Sequence, residues 1–231
     1  MSIVKKYRAE ILKIENPIEG VYTLTLQPLT SGRFRFSPGQ FLHIAIDTDY
    51  DGFSQWPESR CFSVQTSPAE ELLKITYSVK GSFTTQMAKN LKEGDEVWVK
   101  LPYGDLFDQP HNKEKTVFVS GGTGITPYLS LFTDAAFSAY TRPVLYAGFR
   151  NEELNLYKKE IAKAQTINPG LKANYVYQDR DGILSIEKIL EENGTSATYF
   201  ISGPPAMINT FKQYLLKLDV PQDNILTDDW E

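Results

Sequence analysis

The most constraining stretch of this chain is Val119-Ser120-Gly121-Gly122-Thr123-Gly124-Ile125-Thr126-Pro127. A short apolar strand ends in glycines and a helix is predicted to begin at once. Thr126 suits its N-cap and Pro127 its first helical position. Glycines at such a turn let backbone approach a pyrophosphate, and the helix N-terminus offers unpaired N–H groups and a partial positive charge. The usual dinucleotide fingerprint has a further glycine where this chain carries Pro127. The stretch therefore reads as a phosphate-type loop outside the usual Rossmann pattern, with a plain tight turn as the alternative. Either way, a strand, a turn and a helix follow one another directly.

The flanking pattern extends this unit. After a linker at Pro110-His111-Asn112-Lys113, strands are predicted at Thr116–Ser120, Pro143–Phe149, Lys172–Tyr177, Thr198–Ser202 and Asn224–Thr227. Helices are predicted between them at Pro127–Ala139, Glu153–Thr166, Ser185–Glu192 and Ala206–Leu218. That alternation predicts a five-stranded parallel, doubly wound α/β domain, with its ligand at the carboxyl ends of the strands. The first part of the chain reads instead as strands: Glu10–Glu15, Val21–Gln27, Gln40–Ile46, Arg60–Gln65, Leu73–Val79 and Glu96–Leu101, with one helix at Phe83–Leu91. Turn signals at Gly20, Pro38-Gly39, Pro57 and Gly94-Asp95 separate them, so a six-stranded antiparallel β-barrel is expected. Thr48–Ser59 reads as an exposed acidic loop bearing Phe53 and Trp56. The expected domains are residues 1–109 and 110–231, and 231 residues suffice for two small cores.

Composition excludes several classes. With 24 basic and 29 acidic residues, a net charge of −5 and no basic tract longer than two residues, binding to nucleic acid or to an anionic membrane is not expected. No apolar run approaches the ~20 residues of a membrane span. The first residues lack the apolar core of a signal peptide, so a cytoplasmic enzyme is expected. The single cysteine, Cys61, cannot form an intramolecular disulfide, complete a structural zinc site or hold an iron–sulfur cluster. His43 and His111 carry no metal-ligand spacing. No metal site is expected, and any redox chemistry must come from an organic cofactor.

Three more segments carry chemistry. Arg60-Cys61-Phe62-Ser63 opens a strand with a planar guanidinium suited to a phosphate oxygen pair. Strand alternation turns Arg60 and Phe62 to one side and Cys61 and Ser63 to the other. In Tyr77-Ser78-Val79-Lys80-Gly81-Ser82-Phe83-Thr84 a strand ends in glycine and a helix follows, capped by Ser82 or Thr84 and able to take a second phosphate. Phe200-Ile201-Ser202-Gly203-Pro204-Pro205-Ala206-Met207 ends a strand in a small-residue turn facing the crevice of the sheet, with Met207 read as helix core.

In this order, the four segments resemble the ferredoxin–NADP reductase family of flavin-dependent oxidoreductases. Its hallmarks are an R-x-[Y/F]-S stretch in an N-terminal barrel, a G-x-x-[S/T] turn, a G-G-T-G-[I/L]-[T/A]-P loop and a late C-G-P-P-x-M. The resemblance covers nearly the whole chain, and the spacing of the first and third hallmarks also matches. It implies a barrel that binds one non-covalent FAD, and an α/β domain that binds NADH or NADPH as co-substrate. Hydride would pass from nicotinamide C4 to flavin N5, with the two rings meeting in the cleft between the domains.

By the same resemblance, Arg60 contacts the FAD pyrophosphate, Phe62 lies against the isoalloxazine, and Ser63 bonds near flavin N5. Gly81, Ser82, Phe83 and Thr84 cradle the FAD phosphates, while Gly122, Thr123 and Gly124 receive the nicotinamide dinucleotide. Cys61, Val79 and Lys80 beside the first set, and Gly121, Thr126, Gly203 and Pro204 beside the second, complete the expected cofactor-binding residues. Ser202 stands where many relatives have cysteine, and Trp230 is the candidate aromatic over the flavin. Ser63, Ser202 and Trp230 are thus the candidate catalytic residues, and Asp229 or Glu231 is a candidate proton relay. Arg150 and Arg180 each suit a 2′-phosphate, whereas Glu152 and Asp179 beside them suit a bare ribose hydroxyl, so the coenzyme stays open.

The function expected is an NAD(P)H-dependent flavoprotein reductase that passes electrons to a separate acceptor, either a ferredoxin-like or other redox protein or a small molecule. A reductase that treats free flavin as substrate is the alternative enzyme. A docking subunit that keeps the fold without the hydride path is the alternative of a different class. Nothing in the sequence sets the oligomeric state.

Overall fold

The computed structural model describes residues 3–30 and 32–228. Two compact units divide the chain, one up to Asp105 and the other from Leu106. The predicted linker lies a little later, at 110–113. Leu106 and Phe107 pack against the hydrophobic core of the second unit, which draws them out of the connecting segment.

The first unit contains β1 (Lys5–Ile18), β2 (Val21–Pro28), β3 (Phe41–Ala45), β4 (Ser59–Ser63), β5 (Leu73–Ser78), α1 (Ser82–Asn90) and β6 (Glu96–Tyr103). Its sheet runs β4-β3-β6-β1-β2-β5 with every pairing antiparallel. Just beyond β4, the Gln65 amide donates to the Lys74 carbonyl at 2.9 Å, and Thr76 Oγ1 donates to Gln65 Oε1 at 2.7 Å. These bonds bring the two edge strands together into a nearly closed barrel. Every second residue points inward: Ala9 and Ile11, Leu24 and Leu26, Leu42 and Ile44, Leu73 and Ile75, and Val97, Val99 and Leu101 form one buried cluster, joined by Phe83 and Met87 of α1. β1 is longer than predicted because it serves two partners, β6 along Lys5–Glu10 and β2 along Ala9–Ile18.

The second unit contains β7 (Thr116–Gly121), α2 (Thr126–Phe132), β8 (Val144–Phe149), α3 (Lys158–Ile167), β9 (Lys172–Tyr177), α4 (Gln178–Asp181), α5 (Ile186–Asn193), β10 (Thr198–Ser202), α6 (Pro205–Lys217) and β11 (Ile225–Thr227). The sheet is wholly parallel, in the order β11-β10-β7-β8-β9. Phe118, Leu145, Phe200 and Leu226 face α2 and α3, while Val117, Val119, Tyr199, Ile201 and Ile225 face α5 and α6. A sheet buried on both faces explains why its strands read as continuous apolar runs. Strand order reverses between β7 and β10, and in doubly wound sheets ligands bind at the carboxyl ends of the strands flanking such a point.

Two predicted helices are broken by polar residues. The run Pro127–Ala139 is α2 followed by a separate 3₁₀ turn, Ala135–Ala139, where the Asp134 side chain accepts from the Ala136 amide at 2.9 Å. In Glu153–Thr166, Asn151 caps a 3₁₀ turn at Glu152–Leu154, and α3 starts only at Lys158. Each side chain satisfies helix-end donors and so ends one turn where another begins. No helix among the described residues is long and apolar enough to cross a membrane.

Phe118 is fully buried and its ring meets those of Tyr128, Phe132 and Phe200 at 4.9–5.3 Å. Phe118→Ala is expected to lower stability by about 3–5 kcal/mol. Chemical denaturation followed by near-UV circular dichroism reads this directly.

Candidate functional site

In the first unit, the sequence hallmarks converge around the N-terminal end of α1. Arg60 is exposed, and its guanidinium lies 5.2 Å from the Phe83 ring centroid, paired with Glu58 at 3.0 Å. Phe62 contacts Tyr77 at 5.7 Å, and Tyr77 stacks on Tyr22 at 5.5 Å. Cys61 is on the other side of the strand, its Sγ 3.4 Å from His43 Nε2. The predicted alternation in Arg60–Phe62 is therefore what the strand shows. Ser63 is buried at the end of β4, opposite Phe41. Burial, and secondarily Tyr22, raises the Tyr77 hydroxyl pKa, so Tyr77 stays neutral.

Gly81 is the N-cap residue of α1, in an extended conformation. Thr84, not Ser82, supplies the capping side chain: its Oγ1 accepts from the Lys80 amide at 2.9 Å and the Gly81 amide at 3.2 Å. The N–H groups of the first turn, from Ser82 onward, project from the helix end. A Cβ on Gly81 would meet no atom within 4 Å. An open backbone position, a helix N-terminus and a guanidinium side by side fit a pyrophosphate. The half-buried Phe62, backed by Tyr77, offers a face to a flat ring.

In the second unit, β7 runs straight into a 3₁₀ turn, Gly122–Ile125, that continues as α2. Thr126 is consequently not the predicted N-cap. It is helical and buried, and its hydroxyl donates to the Thr123 carbonyl at 2.9 Å. The glycines have distinct tasks. A Cβ on Gly124 would lie 2.6 Å from Gly203 Cα, Gly203 N and the Ser202 carbonyl oxygen, and one on Gly121 would meet Met207 Sδ at 2.9 Å and Pro204 Cδ at 3.0 Å. Gly121 and Gly124 thus let two turns pack backbone to backbone. Gly122 has φ +57° with open space around its Cβ position.

Behind this turn is a row of polar side chains. Ser120 and Ser202 pair across β7 and β10, and both are buried. Ser202 Oγ donates to Asp228 Oδ2 at 2.9 Å. Ser120 Oγ has no hydrogen-bond partner among the described residues. Tyr128 is fully buried and its hydroxyl donates to the Val119 carbonyl at 3.0 Å. Burial first, and the Asp228 charge second, hold its pKa well above the ordinary value. The open turn and the small side chains beside it fit a nicotinamide dinucleotide.

At the ends of β8 and β9, the Asp179 amide donates to the Arg150 carbonyl at 3.1 Å. Glu152 pairs with Lys158 at 2.7 Å, which lowers its pKa. Arg180 pairs with Asp181 at 3.1 Å and lies 5.0 Å from the Tyr177 ring centroid. Arg150 is exposed and has no ion pair among the described residues. No group of metal-binding side chains occurs among the described residues.

Trp230, Asp229 and Glu231 lie outside the described residues. Sequence reasoning did not single out Asp228, which accepts from Ser202, or Tyr77, whose ring backs Phe62. Asp228 could have been found from the end of the last strand, because backbone pairing continues through its amide to the Ile201 carbonyl at 3.0 Å.

An antiparallel barrel with an open helix end and a doubly wound parallel domain with a glycine-rich strand-to-helix turn are the two folds of the flavin and nicotinamide dinucleotide oxidoreductases. Residues 118–213 match the oxidoreductase NAD-binding domain family. The chain is 30% identical over 98% of its length to a component of the Na(+)-translocating NADH-quinone reductase of Methylococcus capsulatus, covering 68% of that component. It is 25% identical over 97% of its length to the reductase component of propane 2-monooxygenase from Mycolicibacterium goodii, covering 68% of it. A ferredoxin–NADP+ reductase from Neisseria gonorrhoeae, solved with FAD and NADP, superimposes with a TM-score of 0.78 at 19% identity, covering 97% of this chain and 98% of that one. The chain belongs to the ferredoxin–NADP reductase-like family of NAD(P)H-dependent FAD-binding oxidoreductases. It spans about half to two thirds of the length of the curated relatives it matches.

Gly124→Ala is expected to lower stability by about 2 kcal/mol or more, because a methyl group would meet fixed backbone. Gly122→Ala, which only strains a left-handed φ, should cost about 1–2 kcal/mol. Thermal unfolding of the two variants side by side checks that order.

Proposed function

We propose that this chain is the NAD(P)H-oxidising flavoprotein module of an electron-transfer system, passing electrons to a separate acceptor protein. The observation that carries the reading is the exposed Arg60 guanidinium beside the open N-terminus of α1, on the same strand face as Phe62. The family's FAD, when bound, supplies a hydride acceptor that can release electrons singly or in pairs.

Arg60 holds the FAD pyrophosphate with its planar fork, and the first-turn amides of α1 neutralise the other phosphate oxygens. Phe62 supports the ring system through apolar contact alone, because phenylalanine lacks a hydroxyl. Ser63 bonds near the reacting nitrogen. Gly122, Thr123 and Gly124 bind the nicotinamide dinucleotide, while Ser202 and the turn at Gly203-Pro204 border its reactive ring. None of these groups needs to exchange a proton with substrate, since hydride transfer demands position above all.

The side chains near the ribose position favour NADPH. Glu152 and Arg180 are already paired within the protein, while Arg150 is left to meet a 2′-phosphate. A separate acceptor is supported by the likeness to reductase components that serve oxygenases, such as the propane 2-monooxygenase component. The single cysteine also leaves no built-in iron–sulfur site within this chain.

Arg60→Ala and Gly81→Ala should both reduce FAD retention on gel filtration while thermal unfolding of the apoprotein stays within about 0.5 kcal/mol of wild type. Full retention in both variants would remove the pyrophosphate assignment. Loss of flavin from the wild type, with reduction of added flavin, would favour a free-flavin reductase. Arg150→Ala should raise KM for NADPH by about tenfold or more, the scale of a charge-assisted phosphate contact, and leave KM for NADH nearly unchanged. Steady-state kinetics with both coenzymes reads the difference.

A further inference from the structure

Residues 108–114, which lead into β7, form neither helix nor strand, and His111 is the one side chain among them that is not exposed. Its imidazole is held on three sides. Nδ1 lies 2.7 Å from the Gln109 carbonyl oxygen and Nε2 lies 2.7 Å from the Tyr140 hydroxyl. The ring stacks on Tyr140 at 5.6 Å and meets the Phe200 ring of β10 at right angles at 5.0 Å. A carbonyl only accepts, so the proton of the neutral ring is on Nδ1, and Nε2 accepts from the Tyr140 hydroxyl. Tyr140 is itself anchored: it is 2% exposed, and Asn168 Nδ2 donates to its carbonyl at 2.7 Å and to that of Phe137 at 2.9 Å. The Thr141 amide donates to the Lys113 carbonyl at 2.9 Å, tying the same segment to the same turn.

This arrangement suits only the neutral ring. A second proton would go to Nε2, where the Tyr140 hydroxyl already directs its own. The hydroxyl would have to turn, and its proton would then have no acceptor among the described residues in a nearly buried place. The charge would also lie against the apolar Phe200 ring. Among the described residues no carboxylate acts on the imidazole. Tyr140 is the titratable group facing it from the turn, β10 presents Phe200, and the charge acting on it is Lys113 of its own segment. That ammonium lies 5.5 Å from the Tyr140 ring, so the tyrosine already carries one cation. Burial lowers the His111 pKa below its ordinary value, the Gln109 bond partly opposes this, and Lys113 adds to it.

We propose that residues 109–113 are a pH-sensitive strap, docked on the second unit by neutral His111 and released when Nε2 takes up a proton. The docked form binds fewer protons than the released one. Docking is therefore complete above the ordinary histidine value of about 6.5 and weakens as the pH falls below it. Release frees an exposed segment and leaves the sheet intact, because β7 and β10 are paired through their own backbones.

The test is amide hydrogen exchange by NMR on the full chain loaded with FAD, between pH 7.5 and pH 5, with each rate divided by its intrinsic value. The Thr141 amide reports directly, since its acceptor belongs to the strap. In wild type its corrected exchange should rise by up to about tenfold per pH unit below pH ~6.5, the slope of one proton taken up on opening. Amides of β7 and β10 should show no such rise. In His111→Gln the Thr141 profile should be flat, whether the glutamine docks or leaves the strap open. With two histidines in the chain, the imidazole C–H signals can be assigned from that variant. His111 should titrate below the ordinary value in wild type and closer to it in Tyr140→Phe, where Nε2 has no donor to displace. A flat Thr141 profile in wild type, or one equally steep in His111→Gln, overturns the proposal. A rise shared by the β7 and β10 amides also overturns it, because the whole unit would then be opening.

Discussion

The second unit depends on one close approach of backbone to backbone. Gly124, in the turn after β7, lies so near Ser202 and Gly203, in the turn after β10, that a single methyl group would collide with three main-chain atoms. Gly121 makes the matching approach to Pro204 and Met207. β7 and β10 are neighbours in the sheet but far apart in sequence, and their connections depart in opposite directions. The two turns must share the space above the strand ends, and only glycine lets both fit. The same compactness leaves open space at the Cβ position of Gly122, and Ser202 lies beside Asp228.

The first unit solves a similar problem through strand alternation. β4 turns Arg60 and Phe62 toward α1 and Tyr77, and turns Cys61 toward His43. The side chains suited to a charged, flat ligand share a face, and the barrel's apolar interior stays closed beneath them. Thr84 secures the first turn of α1 without filling the space at Gly81. The fold leaves backbone groups exposed at this helix end, and Arg60 adds charge beside them.

Much of this was legible in the sequence because the relevant features are local. Turn signals separated the barrel strands, the alternation of predicted strands and helices marked the parallel sheet, and Gly81 and the Gly121–Gly124 cluster marked the two strand-to-helix turns. Other features depend on tertiary partners. Helix breaks at Asp134 and Asn151 arise where side chains capture new turn donors, in competition with helix propensity. Thr126 has the composition of an N-cap, but the preceding 3₁₀ turn already supplies the helix start. Asp228 was hidden because its bond to Ser202 forms only once β11 aligns with β10 and brings the two together. The division of labour among Gly121, Gly122 and Gly124 also needs the second turn in place, since all three look alike along the chain.

Whether this chain holds FAD and reduces it with a nicotinamide dinucleotide is tested most directly by an anaerobic absorbance titration of the purified protein, with NADH and then NADPH. Protein-bound flavin absorbance should bleach in proportion to added nucleotide, more readily with NADPH, and return on admission of an electron acceptor. Bound flavin that neither nucleotide bleaches would contradict that role.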